Sequence, residues 1–298
     1  ALVNKKRLES LCLAIMMRKF LFFILFIAIV SAMCCPFVGC SNKKPVSDSI
    51  AADTVNVDTV AQDSVEEVIA EAPVPKAADE LFDDFFFNFC GNKKLQYKRI
   101  QFPLPVVQGN KTTMLQKNQW KIDHFFMRQE FYTLILDNIR QLELSKDTAI
   151  KHVVVEKIYL ESSTVKQYVF NKINGQWMMT SIDVKAIGSN QNSSFLSFYK
   201  KFVSDEAFQQ ESINSPLTFV GPDPDDDFKN ITGSLEPEQW SAFAPELPQG
   251  LLYNILYGQK YTESSQKIFL IRGIANGLET ELTFKKKDGK WKLTKLST

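Results

Sequence analysis

Two histidines, His124 and His152, are the residues of this 298-residue chain whose ordinary pKa suits proton transfer near neutral pH. Asp123 stands beside His124, but sequence neighbours usually point in different directions, so adjacency alone does not make an acid–base pair. Tyr132 is the second weak catalytic candidate. Tyr132 and Tyr253, with Trp120 and Trp240, are also the candidate ligand-binding aromatics, and the competing reading is core packing with each polar tip bonded internally. Cys90 has no electropositive setting in the sequence and reads as a small buried hydrophobe. Asp223, Asp225, Asp226 and Asp227 carry oxygens that calcium would accept, yet the glycine of a calcium loop does not follow. A solvated acidic loop is expected there, and no metal site. Lys285, Lys286 and Lys287 make a basic strand end to which the sequence assigns no ligand. Neither a phosphate-cradling loop nor zinc spacing nor a serine nucleophile elbow occurs, so no cofactor is expected.

The elements that must position these residues occur twice. Phe82, Phe85, Phe86 and Phe89 recur as Phe195, Phe198, Tyr199 and Phe202, a constant offset of 113. Both sets have the spacing of one helix face. Asn92 matches Asp205 as a cap of a second helix. Leu95-Gln96 matches Phe208-Gln209, and Pro103-Leu104 matches Pro216-Leu217. Gln119-Trp120 returns as Gln239-Trp240 with about 7 additional residues before it, which fall around Asp223 to Asp227. Tyr132 to Leu136 aligns with Tyr253 to Tyr257, and Phe170, Gly175 and Trp177 align with Phe284, Gly289 and Trp291. Neither histidine is repeated, so a duplicated catalytic dyad is excluded. Val153 to Val155 and Ile268 to Ile271 read as strands, and Lys166 to Lys172 alternates as a half-buried strand should. Asn174-Gly175, Asp288-Gly289 and Asn276-Gly277 predict tight hairpin turns. Each half is helices first and an antiparallel meander after, which makes the fold class α+β.

Arg18 and Lys19 precede the apolar run Phe20 to Ala32, too short to span a bilayer as a helix. Small residues and cysteines follow, in the order of a bacterial secretory signal. Gly39-Cys40 resembles the lipobox of bacterial lipoproteins, with Phe37 where that pattern prefers Leu, and Cys34 and Cys35 are competing acceptors. That resemblance implies a lipidated Cys40. Met16 and Met17 place the start codon after residue 15, so residues 1–39 read as an upstream extension plus signal peptide. Residues 40–78 carry seven carboxylates against three lysines with little aromatic patterning, and read as a disordered acidic tether. With 35 basic against 34 acidic residues overall, nothing supplies the cationic excess that nucleic-acid binding needs. The hydrophobic fraction of 45% is ordinary for a globular body.

Helices followed by a bent antiparallel sheet, in just over a hundred residues, resemble the nuclear-transport-factor-2-like (NTF2-like) superfamily, whose helices and curved sheet form a cone. The resemblance implies a first cone domain over residues 79–188 and a second over 189–298, with a cystatin-like helix-on-sheet domain as the structural alternative. With its leader and tether the chain is similar to lipoproteins of Gram-negative gut bacteria. It implies an envelope protein anchored through Cys40, on the periplasm-facing side of the outer membrane. Repetition of aromatic positions without ionisable ones points away from an enzyme, to a non-catalytic module for an apolar small ligand or another envelope protein. The alternative is a proton-transfer enzyme, isomerase or dehydratase, active in the first domain alone. The halves are also able to pack as an intrachain pseudo-dimer.

Overall fold

The computed structural model describes residues 79–259 and 264–298. The expected leader 1–39, the acceptor Cys40 and the tether 40–78 lie outside the described residues. Helices α1 (Phe82–Gly91) and α2 (Lys93–Arg99) open the first half, and α3 (Ser193–Ser204) and α4 (Glu206–Glu211) open the second. The aromatic spacing does what the sequence predicts: α1 buries Phe82, Phe85, Phe86 and Phe89, and α3 buries Phe195, Tyr199 and Phe202. Each such ring contributes roughly 1.5–3 kcal/mol on burial. Asn92 caps α2 by accepting from the Leu95 N–H at 2.9 Å, and Asp205 caps α4 by accepting from Phe208 N–H at 2.9 Å.

Twelve strands are described: β1 (Leu104–Gln108), β2 (Lys111–Leu115), β3 (Phe131–Leu136), β4 (His152–Tyr159), β5 (Thr164–Ile173) and β6 (Gln176–Ala186), then β7 (Ile213–Asp223), β8 (Asp226–Leu235), β9 (Leu251–Leu256), β10 (Gln266–Gly273), β11 (Glu279–Lys287) and β12 (Lys290–Ser297). They form two six-stranded sheets, ordered β2-β1-β6-β5-β4-β9 and β8-β7-β12-β11-β10-β3. The sheets are mixed and do not form the simple antiparallel meander expected, because β1 runs parallel to β6 and β7 parallel to β12. Asn174-Gly175 and Asp288-Gly289 close hairpins with positive φ at both residues. Asn276-Gly277 does not make the tight turn expected: only Gly277 has positive φ, and the Asn276 side chain instead accepts from the Leu278 N–H in a longer loop over residues 274–278. The residues added in the second half lengthen the β7–β8 hairpin, whose tip holds Asp225, with the Asp223 carboxylate accepting its N–H at 2.9 Å.

The sheets do not follow the halves of the sequence. β9 comes from the second half and closes the first sheet against β4, pairing Asn254 with Glu156 and Tyr253 with Lys157. β3 comes from the first half and closes the second sheet against β10, pairing Leu134 with Leu270 and Tyr132 with Arg272. These are the two segments that the sequence aligns with each other. The exchanged edges are also tied together, since Thr133 Oγ1 donates to the Tyr253 carbonyl at 2.7 Å and accepts from its N–H at 2.9 Å. Asn254 Oδ1 accepts from Ile135 N–H at 2.9 Å. The outward backbone groups of Tyr253 and the N–H of Ile135 are thereby paired at these edges.

A buried polar belt runs through this junction. Glu156 is fully buried, and its carboxylate oxygens accept from Gln167 Nε2 (2.8 Å), Asn190 Nδ2 (2.7 Å) and Asn254 Nδ2 (2.9 Å). Asn190 Oδ1 in turn accepts from the Asn192 N–H, and Asn192 Oδ1 from Lys267 Nζ, which also pairs with Asp137. Replacing Glu156 by leucine strands the buried amides of Asn190 and Asn254, each worth about 1–3 kcal/mol when unsatisfied, and takes a partner from the half-buried Gln167. Glu156→Leu is therefore expected to lower stability by about 3 kcal/mol or more in urea unfolding of the body. An unchanged midpoint would show that the belt does not hold the strands.

Candidate functional site

The loop after the 3-10 turn Lys117–Gln119 is fixed by Gln96 of α2. Gln96 Oε1 accepts from Trp120 Nε1 (3.1 Å) and Asp123 N–H (3.2 Å), while its Nε2 donates to the carbonyls of Phe89 (2.9 Å) and Asp123 (2.8 Å). In the second half Gln209 repeats half of this, accepting from Trp240 Nε1 at 2.9 Å and donating to the Phe202 carbonyl at 2.9 Å. The Gln–Trp pairing was present in the sequence as two matched dipeptide steps, but their mutual contact was not legible from spacing.

Held there, the Asp123 carboxylate accepts four hydrogen bonds from three donor groups. Lys157 Nζ of β4 approaches its two oxygens at 2.6 and 2.8 Å, Tyr168 of β5 donates at 2.9 Å, and Phe125 N–H at 2.8 Å. Phe125 sits in the left-handed region at φ +49°, a strained conformation for a bulky residue that lets its N–H turn back on Asp123. The Lys157 ammonium also lies 4.8 Å from the Phe125 ring centroid and 5.7 Å from those of Tyr168 and Tyr253. Tyr253 is delivered by the exchanged strand β9, so the cluster draws on both halves.

Burial alone would raise the Asp123 carboxyl, but the Lys157 charge and the hydrogen bonds from Lys157, Phe125 and Tyr168 outweigh it and hold the group below its ordinary value. Burial, then the Asp123 charge, pushes the Tyr168 and Tyr253 hydroxyls well up. The Cys90 thiol rises too, through burial and then Asp123. Lys166, whose ammonium lies 4.9 Å from the Tyr168 ring centroid, is lowered by burial. The positions that match Asp123 and Tyr168 in the second half are Phe243 and Leu282, so this polar group belongs to the first half alone.

A second cluster lies at the base of α1. Tyr257 donates to Asp83 Oδ1 at 2.7 Å, and burial raises the Asp83 carboxyl against that bond. Arg272 of β10 pairs with Glu279 and lies opposite Tyr132 in the ladder. Tyr132 stacks on Phe126 with centroids 4.5 Å apart, and Tyr253 meets the same ring edge-on at 5.4 Å. The two tyrosines named from the sequence therefore share one ring. Trp120 and Trp240 are not brought together; each is buried beside its own glutamine. Of the histidines, His152 is exposed with Nδ1 2.9 Å from Asn171 Oδ1, and His124 contributes its carbonyl, which accepts from Met127 N–H at 3.0 Å. Sequence reasoning passed over Lys157 and Tyr168, which lie 34 and 45 residues from Asp123 with no motif to link them.

Helix pairs against curved sheets with an aromatic interior define an NTF2-like fold, and comparison with solved structures agrees. The chain is similar to an NTF2-like protein from Bacteroides fragilis, at 41% identity and a TM-score of 0.69, covering 76% of this chain and 98% of that one. Residues 61–298 match the family model described as a domain of unknown function, DUF4348, and the chain belongs to that family. A comparison with curated proteins finds no match.

Removing the Asp123 carboxylate leaves Lys157 partly buried without its counter-charge. Asp123→Asn is expected to cost about 2 kcal/mol at pH 7, less than a fully buried pair because both groups keep some solvent contact. A carboxyl held below its ordinary value stabilises the fold above the unfolded pKa, and that contribution is lost as pH falls through the folded value. The gap between the native protein and Asp123→Asn in chemical denaturation should thus be constant from pH 6 to 8 and shrink below about pH 4. A gap that widened on acidification would contradict the assignment.

Proposed function

We propose that the chain is an envelope lipoprotein, anchored through a lipidated Cys40 and spaced from the membrane by residues 40–78, on the periplasm-facing side of the outer membrane. In this reading residues 79–188 and 189–298 are duplicated NTF2-like domains that form one non-catalytic body and meet partners, apolar ligands or envelope proteins, through its outer surface. The observation that carries the non-catalytic part is the saturation of Asp123. Its oxygens already face Lys157, Tyr168 and Phe125 N–H, which leaves no unengaged base at that position. The interiors support the same reading, since Phe86, Phe125 and Phe126 fill the first half and Phe195, Phe202 and Phe284 the second. For the anchor, the support is the order of basic pair, apolar run and Gly39-Cys40.

Two measurements test the two parts. In a Gram-negative host given labelled palmitate, the full-length chain should take up label and fractionate with membranes, and Cys40→Ser should lose both; label kept by that variant would move the acceptor to Cys34 or Cys35. Carboxyl and tyrosine-ring NMR titration of the body should find Asp123 ionised and Tyr168 protonated throughout pH 6–8. Titration of either group within that window would favour the isomerase or dehydratase alternative in the first half.

A further inference from the structure

The hairpin formed by β11 and β12 carries a lattice of positive charge. Its register sets Lys285 opposite Lys292 and Lys287 opposite Lys290, and the alternation of a strand puts all four on one face. The opposite face is fixed by Trp291 and Leu293, both buried, so this one is the outer surface. Directly opposed like charges destabilise a sheet, and here two such pairs are adjacent. None of the four lysines makes an ion pair among the described residues. Lys287 Nζ donates to Asn214 Oδ1 at 2.5 Å and Lys292 Nζ to the Glu211 carbonyl, neutral acceptors that orient the ammonium groups without cancelling their charge.

Those bonds draw the hairpin towards the start of β7 and enclose an open groove of about 510 Å³, lined by Ile213, Asn214, Ser215, Lys287, Asp288, Lys290 and Lys292. Carboxylates near the groove include Asp288, at the hairpin turn, Glu211, whose carbonyl holds Lys292, and Glu236, whose Oε2 accepts from Ser215 Oγ at 2.7 Å. The first half supplies an internal control. At the matching hairpin, the register sets Asn171 opposite Met178 and Ile173 opposite Gln176, with no charge at all. The fold therefore does not require lysines at these positions.

We propose that this groove binds a compact polyanion bearing two or more phosphate groups, with Lys287, Lys290 and Lys292 as its ligands, Lys285 reinforcing the field, and Asn214 offering the Nδ2 hydrogen that its bond to the Pro216 carbonyl leaves over. The same chemistry occurs in a soluble oligophosphate and in a phosphorylated lipid headgroup. The inference stands independently of the anchor and of the Asp123 cluster.

The test uses the full-length chain with two probes: inorganic tripolyphosphate by titration calorimetry, and vesicles of phosphatidylcholine and cardiolipin, whose headgroup carries two phosphates, at 4:1 by co-sedimentation. Pure phosphatidylcholine vesicles serve as the blank. Binding of either probe is expected to fall at least tenfold in Lys287→Gln/Lys290→Gln and less than twofold in Lys111→Gln/Lys117→Gln, which removes equal charge from exposed positions of the first half. Binding of tripolyphosphate assigns the soluble source, and binding of the acidic vesicles alone assigns the headgroup. Failure of both probes, or equal losses in the two double variants, would overturn the proposal. Unchanged thermal midpoints in both variants would separate loss of binding from loss of fold.

Discussion

Glu156 has only one way to be buried without cost. A carboxylate removed from water must find donors of fixed geometry or be excluded from the interior. Its three donors come from separate places: Gln167 from the neighbouring strand, Asn190 from the connection between halves, and Asn254 from the strand that the second half contributes. They converge only when β9 lies against β4 in one register. A slip by one residue would turn Asn254 to the other face and bring a hydrophobic side chain against the carboxylate. The polar junction thus specifies the exchange, while the aromatic cores on either side supply the bulk of the burial.

That exchange explains how distant residues reach a common site. Tyr253 would belong to the second half if each sheet were made from its own segment of sequence, yet it faces Lys157 and Phe126 in the first. Tyr257 similarly reaches Asp83 on α1. The two halves share helices, caps, Gln–Trp pairs and strand order, and differ in what they place on that common frame. The first carries Asp123 and Tyr168 where the second has Phe243 and Leu282, while Lys157, opposite Tyr253, corresponds to Arg272, opposite Tyr132. The second carries the lysine lattice where the first is neutral. Two frames that differ at separate positions are free to specialise without disturbing each other's core.

Much of the local structure was legible because it rests on local physics. The Phe spacing gave both long helices, Asn92 and Asp205 capped where a short polar side chain should, and Asn174-Gly175 and Asp288-Gly289 supplied the left-handed pair that a tight hairpin requires. Asn276-Gly277 misled because the Asn276 side chain satisfied a loop N–H instead of the turn geometry. The strand exchange left no trace in the pattern. Tyr132 to Leu136 and Tyr253 to Tyr257 are alike in sequence, so either strand fits either sheet as far as alternation can tell. The Asp123 cluster was hidden for a related reason. Ion pairs between elements far apart in the chain have no spacing rule, and only the fold brings Lys157 and Tyr168 to the loop that Gln96 holds.

Producing residues 79–188 and 189–298 separately, and then mixing them, tests the reciprocal exchange most directly. Each sheet lacks its outermost strand without the other half, and Glu156 lacks Asn254. Each fragment alone is therefore expected to show no cooperative thermal transition and no dispersed amide spectrum, with both restored in an equimolar mixture. Two fragments that each melted cooperatively alone, with spectra that superposed on that of the intact body, would contradict the account.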